Sequence, residues 1–169
     1  MSKRIKAVAL DVDGVLTDGA FWWGADGSES KRFCFRDIMG VSLASRHGIV
    51  FTLISGEKSP LIDRYANKMN IVDVYQGCRD KESALRSFAT ARNLDLSEIC
   101  FMGDDVNDLP ALKIAGMSAA PADAHPEVLA IVGFVAKKPG GNGAVRELLD
   151  FLLTAVTCDV GSSIATPAS

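Results

Sequence analysis

The sequence predicts an α/β fold, Rossmann-like, with a doubly wound and mainly parallel sheet between two helix layers. Three observations predict it. Six short runs, IKAVAL, IVFTLI, DVY, EICFM, MSAA and GFVA, are apolar throughout rather than at alternate positions, as in strands covered on both faces. Amphipathic stretches of helical period lie between these runs. Polar clusters follow four of the strands, where an open α/β sheet binds its ligands.

The bulk composition agrees and excludes other classes. The chain has 169 residues, 48% hydrophobic and 23% charged, enough for one full core in a globular domain. A net charge of −3 leaves no basic footprint for nucleic acid. No apolar run approaches the roughly 20 residues of a membrane span, and MSKRIKAVAL lacks the apolar core of an export signal. Cys34, Cys78, Cys100 and Cys158 show neither metal-ligand nor disulfide spacing, so reduced thiols in a cytoplasmic protein are expected. Without repeats or a linker, residues 1–156 read as one domain, and the small, polar end at 157–169 as a flexible tail.

In chain order, IKAVAL is the first strand and runs straight into DVDGVLTDG, Asp11 to Gly19. Residues 20–35, AFWWGADGSESKRFCF, hold two strand-like pieces around an Asp-Gly turn, a hairpin signal. Trp22 and Trp23 point to opposite sides, and a lone ribbon is marginal in water, so the hairpin should pack on the domain or on another subunit. IVFTLI is the second strand and ends in Ser55-Gly56. Ser59 caps a helix from Pro60 to Met69, with proline at its first position. After DVY, Asp80 caps a helix from Lys81 to Asn93 that places Ala84, Leu85, Phe88 and Ala89 on one face. EICFM ends in Gly103-Asp104-Asp105, and a helix from Asp105 to Ala115 should stop at Gly116. MSAA, GFVA and the loop PGGNG lead to a last helix from Ala144 to about Ala155.

Right-handed crossovers would bring the polar strand ends together: Asp11 and Asp13 after the first strand, Ser55 after the second, Lys81 at a helix start, Asp104 after the fourth. Buried carboxylates repel and are costly unless paired, so a cation or a reaction should await them. Clustered hard oxygens with room for water suit Mg2+. A carboxylate beside it can attack phosphorus, and a second one two residues on can protonate the leaving alkoxide and later activate water. Ser55, Lys81 and backbone amides near Gly14 and Gly56 can hold the phosphoryl oxygens.

These stretches resemble the four motifs of the haloacid dehalogenase superfamily, as DVDGVLTDG, LISG, RDK and GDDVND, and the resemblance covers residues 6 to 150. It implies a Mg2+-dependent phosphatase. Asp11 would be nucleophile and metal ligand, Asp13 acid/base and ligand through its carbonyl oxygen, and Asp104 the third protein ligand. Ser55, Gly56 and Lys81 would hold phosphate, with Asp105 and Asp108 in support. Neither gap between motifs has room for a cap domain. With FRD at Phe35–Asp37 and GGNGAVRE at Gly140–Glu147, the chain resembles the capless sugar-acid phosphatases. That group implies a homotetramer whose hairpins join centrally and whose active sites a neighbouring subunit helps to close, with Arg36 on a loop facing the substrate.

Within the group, octulosonate 8-phosphate phosphatases carry arginines where this chain has Ser42, Glu57 and Tyr65. Glu57 and Lys68 instead resemble the nonulosonate 9-phosphate phosphatases, Lys68 pairing with the substrate carboxylate and Glu57 accepting from sugar hydroxyls. The expected substrate is therefore a nine-carbon keto-acid 9-phosphate, of the ketodeoxynonulosonate (KDN) or N-acetylneuraminate type. The alternative is 3-deoxy-D-manno-octulosonate 8-phosphate. A rival of another class is a non-catalytic module like that of animal acylneuraminate cytidylyltransferase, although such relics tend to lose motif residues that this chain keeps.

Overall fold

Each of the six apolar runs forms a strand, and together they make one parallel sheet. The structure is a computed structural model that describes residues 4–161, with side chains through Thr154. The sheet strands are β1 (Ala7–Leu10), β4 (Val50–Ile54), β5 (Asp73–Tyr75), β6 (Ile99–Met102), β7 (Met117–Ala120) and β8 (Phe134–Val135). Their spatial order is β5-β4-β1-β6-β7-β8, so the order reverses on either side of β1. Ala7 lies opposite Val50 and Ile99, and Leu10 opposite Leu53 and Met102. That register ends β1, β4 and β6 at one edge, from which Asp11, Ser55 and Gly103 emerge.

Continuous apolarity is explained by two cores, one on each face. Val8 and Leu10 of β1 pack with Val41, Ile62, Val145 and Leu148, while Ala7 and Ala9 pack with Leu85, Phe88, Leu112 and Val128. The first layer therefore holds α1 (Phe35–Arg46), α2 (Pro60–Met69) and α6 (Ala144–Gly161), and the second holds α3 (Lys81–Arg92), α4 (Leu109–Ile114) and α5 (Pro126–Leu129). Ser59 Oγ accepts from Leu61 N at 3.3 Å and Asp80 Oδ1 from Ser83 N at 3.0 Å, the expected N-caps. No helix among the described residues is long and apolar enough to cross a membrane.

Several elements differ from the sequence reading. Helix α1 was not predicted, because Gly40 interrupts its pattern. A side chain there would press on Arg146, so that glycine serves the contact between α1 and α6. The stretch from Asp105 is a short turn, Val106–Asp108, followed by α4 with Pro110 in its first turn. Gly116 does follow that helix, but its role is close packing: a Cβ there would collide with the backbone of Ser97. Helix α6 continues past Ala155 to Gly161, because no proline or glycine interrupts it earlier. The rest of the predicted tail lies outside the described residues, as do the side chain of Cys158 and residues 1–3.

The hairpin is β2 (Trp22–Trp23) and β3 (Glu29–Ser30), antiparallel and short. Its tip is solvated, with Trp22 68% and Trp23 76% exposed, while its second arm reaches back to the domain. Ser59 Oγ donates to Glu29 Oε1 at 3.4 Å, and Arg32 Nη2 donates to Asn142 Oδ1 at 3.0 Å.

Candidate active site

After β1 the chain makes one wide turn over Val12–Leu16, closed by Thr17 N donating to Val12 O at 3.0 Å. Gly14, at φ +92°, allows this turn, and a Cβ there would collide with the Asp104 carboxylate. The glycine-rich loop PGGNG lies against the same turn, since a Cβ on Gly140 would meet the Gly14 carbonyl. Asp37 supports that loop from α1: its two oxygens accept from Gly143 N at 3.2 Å and Arg146 N at 2.8 Å, at the start of α6. The FRD and GGNGAVRE motifs thus meet in space. Burial pushes the Asp37 carboxyl up, and these bonds only partly offset it.

Asp11, Asp13, Ser55, Gly56, Lys81 and Asp104 line one cavity of about 290 Å3 beyond the ends of β1, β4 and β6. Six residues expected for the chemistry therefore converge. Lys81, 1% exposed, spans the carboxylates, with Nζ 2.9 Å from Asp11 Oδ1 and 2.6 Å from Asp108 Oδ1. Burial works to lower the Lys81 pKa, but Asp11 and Asp108 outweigh it and the net shift is upward. The lysine therefore stays charged, held between its partners.

Asp11, Asp104 and Asp108 each bring a carboxylate oxygen within 4.8 Å of the others. They are not equivalent. Asp108 is committed: Oδ1 takes the Lys81 ammonium and Oδ2 takes the amides of Asp104 at 2.9 Å and Asp105 at 3.3 Å. It braces the loop, and Gly103 has no side chain because Asp108 occupies that space, 2.6 Å from where a Cβ would stand. Asp104 Oδ1, by contrast, is buried without a hydrogen-bond partner. Burial first, then Asp11 and Asp108, pushes Asp104 up to about 8. Burial and Asp108 likewise raise Asp11 to about 6, against the opposing pull of Lys81. An orphaned oxygen beside a second carboxylate fits a hard divalent cation, and Asp11 and Asp104 are the side chains that could hold one.

Asp13 faces the same cavity from the other side, and its carboxylate is held by the hairpin. Lys31 Nζ lies 2.8 Å from Oδ1 and 2.9 Å from Oδ2. No sequence signal marked Lys31 or Phe21, which also lines the cavity, because their approach depends on how the hairpin folds back. Ser55 is buried, its Oγ accepting from Glu57 N at 3.1 Å, and Glu57 and Asp105 also line the cavity. Lys68 does not: it lines an adjoining cavity of about 190 Å3 with Lys31, Arg64 and Tyr65. Arg36 does not line the catalytic cavity of this chain either. Its position on the first turn of α1 puts it in a third cavity with Lys137 and Arg146, away from Asp11 in this chain.

Known proteins share this fold. Residues 45–148 match the haloacid dehalogenase-like hydrolase family. The chain is 36% identical over 154 residues to the 3-deoxy-D-manno-octulosonate 8-phosphate phosphatase KdsC of Salmonella typhi, covering 91% of this chain and 82% of that one. The Moraxella catarrhalis octulosonate 8-phosphate phosphatase, solved with magnesium, phosphate and KDO, superposes with a TM-score of 0.89 at 33% identity, over 95% of this chain and 94% of its own. The cobalt-bound Haemophilus influenzae phosphatase gives 0.87 at 36% identity, over 90% and 89%. With that match and a four-motif cavity on a sheet of this order, the chain belongs to the haloacid dehalogenase-like hydrolases, as a capless phosphoric monoester hydrolase.

Proposed function

We propose that the chain removes phosphate from a 2-keto-3-deoxy sugar acid through an aspartyl-phosphate on Asp11, and that 3-deoxy-D-manno-octulosonate 8-phosphate is its substrate. The observation that carries the chemistry is Lys81, buried between Asp11 and Asp108 beside the orphaned oxygen of Asp104. The eight-carbon substrate is supported by relatives that bear that name over nine-tenths of the chain.

An Asp11 oxygen attacks phosphorus, the bond to the ester oxygen breaks, and the departing alkoxide takes a proton from Asp13. Asp13 then takes a proton from the water that attacks the phosphoryl group. Inorganic phosphate leaves and Asp11 is restored. Lys81 keeps the nucleophile aimed and offsets charge building on the phosphoryl oxygens, while the Ser55 hydroxyl and Gly56 amide cradle them. Asp11, Asp104 and the Asp13 carbonyl oxygen would hold Mg2+, which would supply relief of the repulsion between the anionic ester and the anionic nucleophile.

A second reading, the nine-carbon 9-phosphate favoured by the residue pattern, draws on Glu57 in the catalytic cavity and Lys68 in the adjoining one. Tyr65 stands in the adjoining cavity where octulosonate phosphatases carry arginine, so the two supports point to different branches. Side-by-side rates on octulosonate 8-phosphate and a nonulosonate 9-phosphate, with and without Mg2+, decide between them. Preference for the nine-carbon ester would overturn the eight-carbon assignment. Activity surviving Asp11→Asn at a tenth of the original rate would overturn covalent catalysis. The exposed tryptophans at the hairpin tip support the homotetramer implied by the family resemblance.

A further inference from the structure

The hairpin's second arm ends in a lysine with no role in the scheme above. The Lys31 side chain is buried although its backbone is partly exposed, its Nζ rests on both oxygens of Asp13, and the Phe21 ring from the first arm lies 4.6 Å from that nitrogen. Apart from Lys31, the side-chain contact recorded for the Asp13 carboxylate is Thr17 Oγ1 at 3.5 Å, at the limit of a hydrogen bond. Asp13 lies inside the wide turn over Val12–Leu16, directly before the left-handed Gly14, and its carboxyl still needs a partner to fix its rotamer. A side chain used for proton transfer has to be held within hydrogen-bond reach of the reacting oxygen, and small displacements cost much of the rate. A lysine on a surface ribbon would ordinarily keep its ammonium in water. Here two arms of the hairpin cooperate to bury it, one supplying the charge and the other the aromatic face that excludes solvent.

We infer that Lys31 is a positioning residue that aims the Asp13 carboxyl at the ester oxygen, making the hairpin a working wall of the active site rather than only an assembly element. The inference rests on the phosphatase reading and adds the residue that makes poor leaving groups tractable. Its consequence is selective. An alkoxide needs a proton from Asp13 as it departs, whereas p-nitrophenolate leaves without one. The parameter kcat/KM covers only the steps through that first departure, so later water activation does not enter.

The test measures kcat/KM for purified Lys31→Met and Lys31→Arg across aryl phosphates, a neutral alkyl phosphate and octulosonate 8-phosphate. Lys31→Met should raise the ratio of p-nitrophenyl to neutral alkyl phosphate roughly 10- to 100-fold, a partial loss that reaches at most the lower limit of what general acid catalysis contributes. Lys31→Arg should recover most of that ratio, because guanidinium can also hold both carboxylate oxygens. An equal fall for all esters would mean a structural role and overturn the inference. A fall confined to the sugar acid would make Lys31 a reader of the substrate carboxylate and overturn it as well. Absence of Mg2+-dependent turnover of every ester by the unmodified chain would instead remove the phosphatase reading itself.

Discussion

Raising the pH from 6 to 8 should tighten Mg2+ binding by about two orders of magnitude. The cation needs ionised oxygens, and the metal-free cluster resists ionising: Asp104 is pushed up to about 8 and Asp11 to about 6. With those values Asp104 is about 1% ionised at pH 6 and about half ionised at pH 8, while Asp11 rises from about half to nearly complete. The product is a gain of roughly 100-fold in apparent affinity, or about 2.7 kcal/mol. Calorimetric titration of Mg2+ into metal-free protein at pH 6, 7 and 8 measures it. Repeating pH 7 in two buffers of different protonation enthalpy should count about one proton released per ion. The sign for folding runs the other way. Asp104 binds its proton more tightly when folded, so its stabilising effect on metal-free protein is complete below about pH 4 and is lost as pH rises through about 8. Saturating Mg2+ should reverse that decline. An affinity constant within threefold from pH 6 to 8, with no proton released, would refute the reasoning: the carboxylates would then be ionised before the metal arrives.

Three substitutions probe the supports. Lys81→Ala should lower kcat at least 100-fold by removing a donor to the transferring group, and should destabilise the fold by about 3–5 kcal/mol by leaving buried Asp11 and Asp108 unpaired; urea denaturation beside steady-state kinetics reads both. Gly14→Ala forces a side chain into a left-handed turn and into Asp104, so calorimetry should find Mg2+ affinity at least about tenfold weaker, with far-UV circular dichroism unchanged. Asp37→Ala strips the Gly143 and Arg146 amides of their acceptor at the start of α6. It should cost about 1–3 kcal/mol in urea denaturation, and unchanged stability would show that water replaces the carboxylate.

How much of this was legible before folding depends on the range of the interaction. Ser59 with Pro60, and Asp80 ahead of Lys81, announce their helices because a cap satisfies amides two or three residues away. Continuous apolarity marked the covered strands, since burial on both faces leaves no place for alternation. Helix α1 escaped notice because Gly40 is there for a neighbour 106 positions on, Arg146, and no local pattern reports it. Arg36 was assigned by motif to the substrate, but the direction in which α1 presents it places it beside Arg146 and Lys137.

The sequence by itself determined the sheet, the strand ends that carry Asp11, Ser55 and Asp104, and the chemistry those residue types allow, because each follows from local periodicity and side-chain identity. Only the tertiary structure decided which groups Asp108 braces, that Asp104 keeps an orphaned oxygen, and that Lys31 returns from the hairpin to hold Asp13. Those roles depend on desolvation and on contacts between segments far apart in the chain, and neither exists until the layers close around the site.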